Sequence, residues 1–155
     1  MISAVDTNIL LDLLIRGAPH AADSRLLLND SVRAGTLVIS EPVYAELAPR
    51  FIDAAGLDGF LDITSISLEL SNRPTLYRAG RAWQIYSRRR PRILSCSRCG
   101  ESQPGECGAC GATLQVRQHV LADFLIGAHA LVHADRLLTR DRGFYATYFP
   151  DLELA

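Results

Sequence analysis

The chain has 155 residues, of which 48% are hydrophobic, and a formal net charge of -1. That length suits one domain with a single core, and the composition excludes both a disordered chain and a globally basic nucleic-acid binder. The 16 Lys and Arg positions are all arginine, a bias given little functional weight.

In chain order, "MISAVD" reads as a short buried strand ending at Asp6, and "TNILLDLLIRG" as a helical segment closed by Gly17. This apolar beginning has no basic leading segment and is interrupted by Asp6, Asn8 and Asp12, which fits neither a signal peptide nor a membrane span. A cytoplasmic location with no membrane partner is therefore expected. A second helix is predicted from about Pro19 to Ala34, ended by Gly35, and "TLVIS" at 36–40 is a strand. Ser40 or Glu41 caps the next helix, which has Pro42 in its first turn and carries Glu46. Helices near 51–61 and 74–90 bracket a short strand at "ITSIS". The helix "HVLADFLIGAHALVH", the strand "RLLT", a turn with Asp141 and a closing "LEL" complete the chain. Strands alternating with helices predict an α/β fold, a three-layer α/β/α domain with a mostly parallel central sheet.

All four cysteines fall between the last two helices, as Cys96-x2-Cys99-x7-Cys107-x2-Cys110, with Gly100 and Gly111 directly after the pairs. Disulfides are the ordinary reading of four cysteines, but they are rare in reducing cytosol, where such pairs more often bind metal. Two intervening residues let a tight turn aim both sulfurs at one ion. Two such turns close a shell of four thiolates, which predicts a structural Zn2+ rather than a catalytic one. "RILS" at 92–95 and "TLQVR" at 113–117 alternate enough to pair as a short arm. The organisation expected is one domain over 1–155 with an inserted zinc-ribbon arm over 92–117.

Asp6 stands at the carboxyl end of the first strand, and Asp141 lies two residues past "RLLT". In open α/β sheets the working crevice lies outside those ends. Asp123 sits in a helix that is apolar on nearly every face, where an unpaired carboxylate costs several kcal/mol or takes up a proton. Either an arginine pairs with it or it shares a cation with other carboxylates. Gly127, one turn on, leaves room there for a ligand or backbone. Glu46, taken alone, reads as a solvated helix residue.

The series "AVDTNILLDLL", "ISEPVYAEL", "ADFLIGAHAL" and "LLTRDRGFY" resembles, in order, the PIN-domain ribonucleases and most closely the VapC-type toxins of toxin-antitoxin pairs. The resemblance covers the chain except about 91–118. It implies a metal-binding acidic set of Asp6, Glu46, Asp123 and Asp141, with Asn8 and Thr139 as polar supports. It also implies a metal-dependent endoribonuclease, with RNA as substrate and a cognate antitoxin as partner. Carboxylates are hard ligands suited to Mg2+ or Mn2+, and four crowded together repel one another unless a divalent ion neutralises them.

His129 and His133 have the i, i+4 spacing that can ligate metal, but at a helix end capping or packing is the commoner use; neither they nor His119 and His20 join the catalytic set. Arg88, Arg89, Arg90, Arg92, Arg98, Arg117, Arg140 and Arg142 cluster in sequence around the arm and Asp141, and are expected to hold RNA. Trp83 serves the core or, with Tyr86, stacks bases. "LLLNDSV" at 26–32 is expected to dock a partner or a second copy. Two other functions fit the same residues: an RNA-processing nuclease of the ribosomal RNA maturation type, without antitoxin, and a non-catalytic zinc-containing RNA-binding module.

Overall fold

A computed structural model describes residues 1–89, 94–95, 102–103, 105–106, 109–111 and 121–155. Its elements follow the expected alternation: β1 (Ile2–Val5), α1 (Thr7–Leu14), α2 (Ala21–Ala34), β2 (Thr36–Ile39), α3 (Glu41–Leu47), α4 (Ala54–Thr64), β3 (Ile66–Leu68), α5 (Arg73–Arg89), β4 (Leu94–Ser95), β5 (Ser102–Gln103), α6 (Leu121–His133), β6 (Arg136–Leu138) and α7 (Arg142–Tyr148). A single 3-10 turn at Ala48–Arg50 follows α3.

Four strands form one parallel sheet in the order β3-β2-β1-β6, with Ala4 opposite both Val38 and Leu137. Leu37, Val38 and Ile39 are buried in succession, as are Ser3, Ala4 and Val5. Successive strand residues point to opposite faces, so burial of every one means that helices cover both faces. This is the expected α/β/α layering. Leu154 adds one parallel bridge to Leu137, whose amide donates to the Glu153 carbonyl at 2.8 Å, so "LEL" lies against β6 without forming a strand of its own.

Below the carboxyl ends of the strands an aromatic cluster joins three helices. Phe124 of α6 packs at ring-centroid distances of 5.4 Å from Trp83 and Tyr86 of α5, and 5.0 Å from Phe144 of α7. Trp83 and Tyr86 therefore serve the core. The α7 helix was not expected from sequence. It forms because Asp141 accepts a hydrogen bond from the Phe144 amide at 3.3 Å, capping a segment that buries Phe144 and Tyr145.

Gly127 does not leave room for a ligand. A methyl group there would stand 2.4 Å from Phe149 Cε2, so the aromatic ring already occupies the space. Gly127→Ala is expected to destabilise the fold by about 1–3 kcal/mol, read as a lower urea midpoint, because Phe149 is buried and must be displaced. An unchanged midpoint would mean that this contact is not close-packed.

The histidines at the end of α6 also have structural partners. His129 is buried, with Nε2 2.9 Å from the Glu69 carbonyl oxygen, and His133 Nε2 lies 3.0 Å from Thr75 Oγ1. Burial, and then the neighbouring His133, lowers the pKa of His129 and favours its neutral ring. These contacts tie the C-terminal end of α6 to the N-terminal end of α5, so the two helices run antiparallel.

β4 pairs antiparallel with β5, Leu94 opposite Gln103 and Ser95 opposite Ser102. The expected pairing of 92–95 with 113–117 falls on a segment outside the described residues. Cys96, Cys99 and Cys107, with Arg90, Arg92, Arg98, Arg117 and His119, lie outside the described residues, as does the segment 112–120; Cys110 is exposed. Among the described residues no helix is long and apolar enough to cross a membrane.

Candidate functional site

Asp6 leaves β1 at its carboxyl end, where the strand has run out of partners for its side chains and the chain turns into α1. It is only 6% exposed. Its amide is still held by the Leu138 carbonyl at 3.0 Å, which continues the β1–β6 ladder and fixes the carboxylate relative to Thr139. Thr139 Oγ1 donates to Asp6 Oδ2 at 2.6 Å and Asn8 Nδ2 donates to the same oxygen at 2.5 Å. The Asp141 amide donates in turn to Thr139 Oγ1 at 3.1 Å, which ties the start of α7 to the same support. Asn8 and Thr139 thus orient Asp6, the supporting position the motif resemblance implies for them.

The other acids reach this crevice from different elements. α3 carries Glu46, whose carboxylate accepts a hydrogen bond from the Thr7 hydroxyl, one residue after Asp6. Asp123 is half-buried in the first turn of α6, beside Phe124 of the aromatic cluster. Asp141 is exposed at the cap of α7.

The charges of the four acids act on shared buried neighbours. Burial, and then the charges of Asp123 and Glu46, outweigh the Thr139 hydrogen bond and raise the Asp6 pKa from 3.8 to about 6. Tyr145 is buried beneath the site, and burial followed by the charges of Asp6, Asp123, Asp141 and Glu46 pushes its phenol above the ordinary value. One buried hydroxyl feels all four carboxylates. Tyr145 is a site residue that sequence reading missed, since it lies in α7, a helix only seven residues long.

Ser40 stands at the carboxyl end of the neighbouring strand. It follows β2 as Asp6 follows β1, and its buried hydroxyl has no hydrogen-bond partner among the described residues. Among those residues, no three His, Cys, Asp or Glu side chains are drawn onto a common point. Thr7 holds Glu46, and Asn8 and Thr139 hold Asp6. The donor set nonetheless fits a hard divalent cation: it is all oxygen, it is anionic, and its most buried member is destabilised by the like charges an ion would neutralise.

The arginines divide. Arg140 Nη2 is 3.1 Å from Asp12 Oδ1 and 3.1 Å from the Asn8 carbonyl oxygen, and buried Asp12 also accepts from Ser24 Oγ at 2.6 Å. Arg142 Nη2 donates to the Leu154 carbonyl at 2.9 Å. These two brace the site's rim. Arg88 and Arg89 are exposed at the end of α5.

The sequence matches the PIN domain model over residues 4–95. That span holds Asp6, Asn8 and Glu46, whereas Asp123, Thr139 and Asp141 lie beyond it and join the site by geometry. No curated protein matches the sequence. Among solved structures, the chain is similar to VapBC2 from Rickettsia felis bound to a DNA fragment from its promoter, with a TM-score of 0.62 and 18% identity over 100% of this chain and 98% of that one. It is similar also to VapBC-1 from nontypeable Haemophilus influenzae, at 0.61 and 19% over 100% and 97%, and to FitAcB from Neisseria gonorrhoeae, at 0.53 and 16% over 99% and 96%. Identities this low speak to fold alone. With the sequence match over more than half its length, the four-stranded parallel sheet and the acids gathered at its carboxyl end, the chain belongs to the PIN domain family.

Proposed function

We propose that the protein is a metal-dependent endoribonuclease, the toxin of a toxin-antitoxin pair, whose cation is held by Asp6, Glu46, Asp123 and Asp141. The supporting observation is the convergence of these four charges on one crevice, where all of them act on Tyr145. When bound, Mg2+ or Mn2+ supplies Lewis acidity at a phosphodiester and a more acidic water. Asn8 and Thr139 hold Asp6 in one orientation, and Thr7 turns Glu46 toward it. Arg140, fixed by Asp12, keeps Asn8 in place through its carbonyl, while its amide donates to Asn8 Oδ1 at 3.2 Å. Hydrolysis of RNA by the wild type in Mn2+ or Mg2+, lost in Asp6→Asn, tests this reading. A folded wild type that binds RNA and never cuts it would leave the non-catalytic module instead.

The VapBC and FitAcB structures support an antitoxin partner. α2 presents exposed Leu26 and Val32 from the stretch expected to dock one, whereas Leu28 faces the core. The four cysteines are proposed to hold one structural Zn2+ within an arm over 92–117 of a single 1–155 domain. Metal analysis of the purified chain is expected to give one zinc per chain, lost in Cys99→Ser. A zinc-free wild type would remove the arm's staple from the account.

A further inference from the structure

The 17 residues of α5, "RPTLYRAGRAWQIYSRR", hold five arginines and no acid, in a chain whose net charge is -1. All five arginines are exposed, and among the described residues none is in an ion pair; Arg81 donates to Gln84 Oε1 at 2.8 Å. At 100° per residue, Arg78, Arg81, Arg88 and Arg89 fall on one arc of the helix, beside the buried stripe of Thr75, Ala79, Ala82 and Tyr86. Tyr77, 71% exposed, and Ile85 lie on that same arc. A solvated helix face ordinarily mixes signs and relieves its repulsion with i, i+4 acid partners. This one keeps like charges together and ends them at an exposed aromatic ring.

Beside the arc runs a groove of about 460 Å³ between α5 and the end of α7, lined by Tyr77, Arg78, Arg81 and Ile85 on one wall and by Tyr148 and Asp151 on the other. From Tyr77 to Arg88 the arc extends about 16 Å at the helical rise. Its direction is fixed by the antiparallel packing of α5 and α6. The N-terminal end of α5 meets His133 through Thr75, and the C-terminal end meets Phe124 through Trp83 and Tyr86, next to Asp123. The arginines therefore lead along α5 toward the acidic crevice.

We infer that this face of α5 is a track for single-stranded RNA, in which Arg78, Arg81 and Arg88 contact successive phosphates and Tyr77 stacks a base at the end remote from the acids. A row of guanidinium groups ending in an exposed aromatic ring matches a polymer with a phosphate backbone and stackable bases. Asp151 on the far wall repels phosphate and confines the backbone to the α5 side. The inference rests on the RNA substrate proposed above, but it concerns binding and can fail separately.

The test uses the full chain carrying Asp6→Asn, to silence cutting without a chelator, and a fluorescein-labelled mixed-sequence RNA of about 20 nucleotides, long enough to span the track. Anisotropy titrations at about 50 to 200 mM salt are expected to lose about 1.4 from the salt slope when Arg78→Glu and Arg81→Glu are combined, at about 0.7 per phosphate contact, with affinity lowered at least about tenfold. Tyr77→Ala is expected to weaken binding about fivefold or more with the slope unchanged. Affinity and slope equal to the parent in both folded variants would overturn the track, and if the wild type still cut RNA the nuclease reading would stand without it. Binding that follows the expected pattern, in a protein whose wild type never cuts, would keep the track and end the nuclease reading. Unaltered RNA binding with loss of binding to polyglutamate would assign the face to an acidic protein and overturn the inference.

Discussion

Asp6→Asn and Asp123→Asn are each expected to lower the rate of RNA cleavage in Mn2+ by about a thousandfold or more, with the thermal transition of the fold retained. The size follows from the several kcal/mol of charge stabilisation that a bound ion supplies, at 1.36 kcal/mol per decade of rate. Asparagine keeps the shape and one acceptor oxygen, so Asn8 and Thr139 can still hold position 6, and the loss reports charge rather than collapse. Asp141→Asn is expected to cost less, about ten- to a hundredfold, because an exposed carboxylate acts through water and its charge is better screened. As a control, Arg33→Ala removes an exposed guanidinium of α2 paired with Asp30 and is expected to cut within a few-fold of wild type. Equal residual cutting by the wild type, Asp6→Asn and Asp123→Asn would mean that the activity belongs to a contaminant and that the four acids do not form its site.

The parts of this site that sequence reading reaches are those fixed by local pattern. A buried β-strand that stops at an acid places Asp6 at the sheet's carboxyl end, and the apolar run around Asp123 marks a carboxylate in need of compensation. Both inferences need only periodicity and the cost of burying charge. What sequence reading misses is set by contacts between distant segments. Phe149 fills the space at Gly127 from 22 residues away, and the hydrogen bond from Thr7 to Glu46 joins α1 to α3. The ion pair of Arg140 with buried Asp12 joins residues more than a hundred positions apart, which no local pattern announces. α7 escapes because its seven residues carry too little periodicity to declare a helix, and Tyr145 escapes with it. The α5 arc is the opposite case. Its arginines are plain in the sequence, but Arg88 and Arg89 draw attention by adjacency, whereas Arg78 and Arg81 join them only once the helix is wound.

Asp6→Asn is also expected to stabilise the metal-free protein at pH 7.5, by up to about 3 kcal/mol, and the gain should vanish at low pH. The Asp6 pKa rises from 3.8 to about 6 on folding, so between those values the native state binds more protons at this carboxyl than the unfolded chain. Stability then falls as pH rises through that window. Below 3.8 both states hold the proton and the penalty is absent; above 6 the native state carries a buried, repelled charge and the penalty is complete. Asparagine carries no such charge, and a pKa raised by about two, at 1.36 kcal/mol for each, sets the size of its gain. Urea unfolding of both proteins between about pH 3.5 and 7.5 reads the difference directly, and because burial of His129 is common to both, its titration cancels. Mn2+ should reverse the order at neutral pH: an ion bound only by the native state stabilises the wild type by mass action, while the variant, short of one ligand charge, gains less. A variant no more stable than wild type without metal would show that Asp6 does not carry the cost of burial and of the Asp123 and Glu46 charges. A wild type indifferent to Mn2+ would show that these carboxylates reach their crevice without an ion to share.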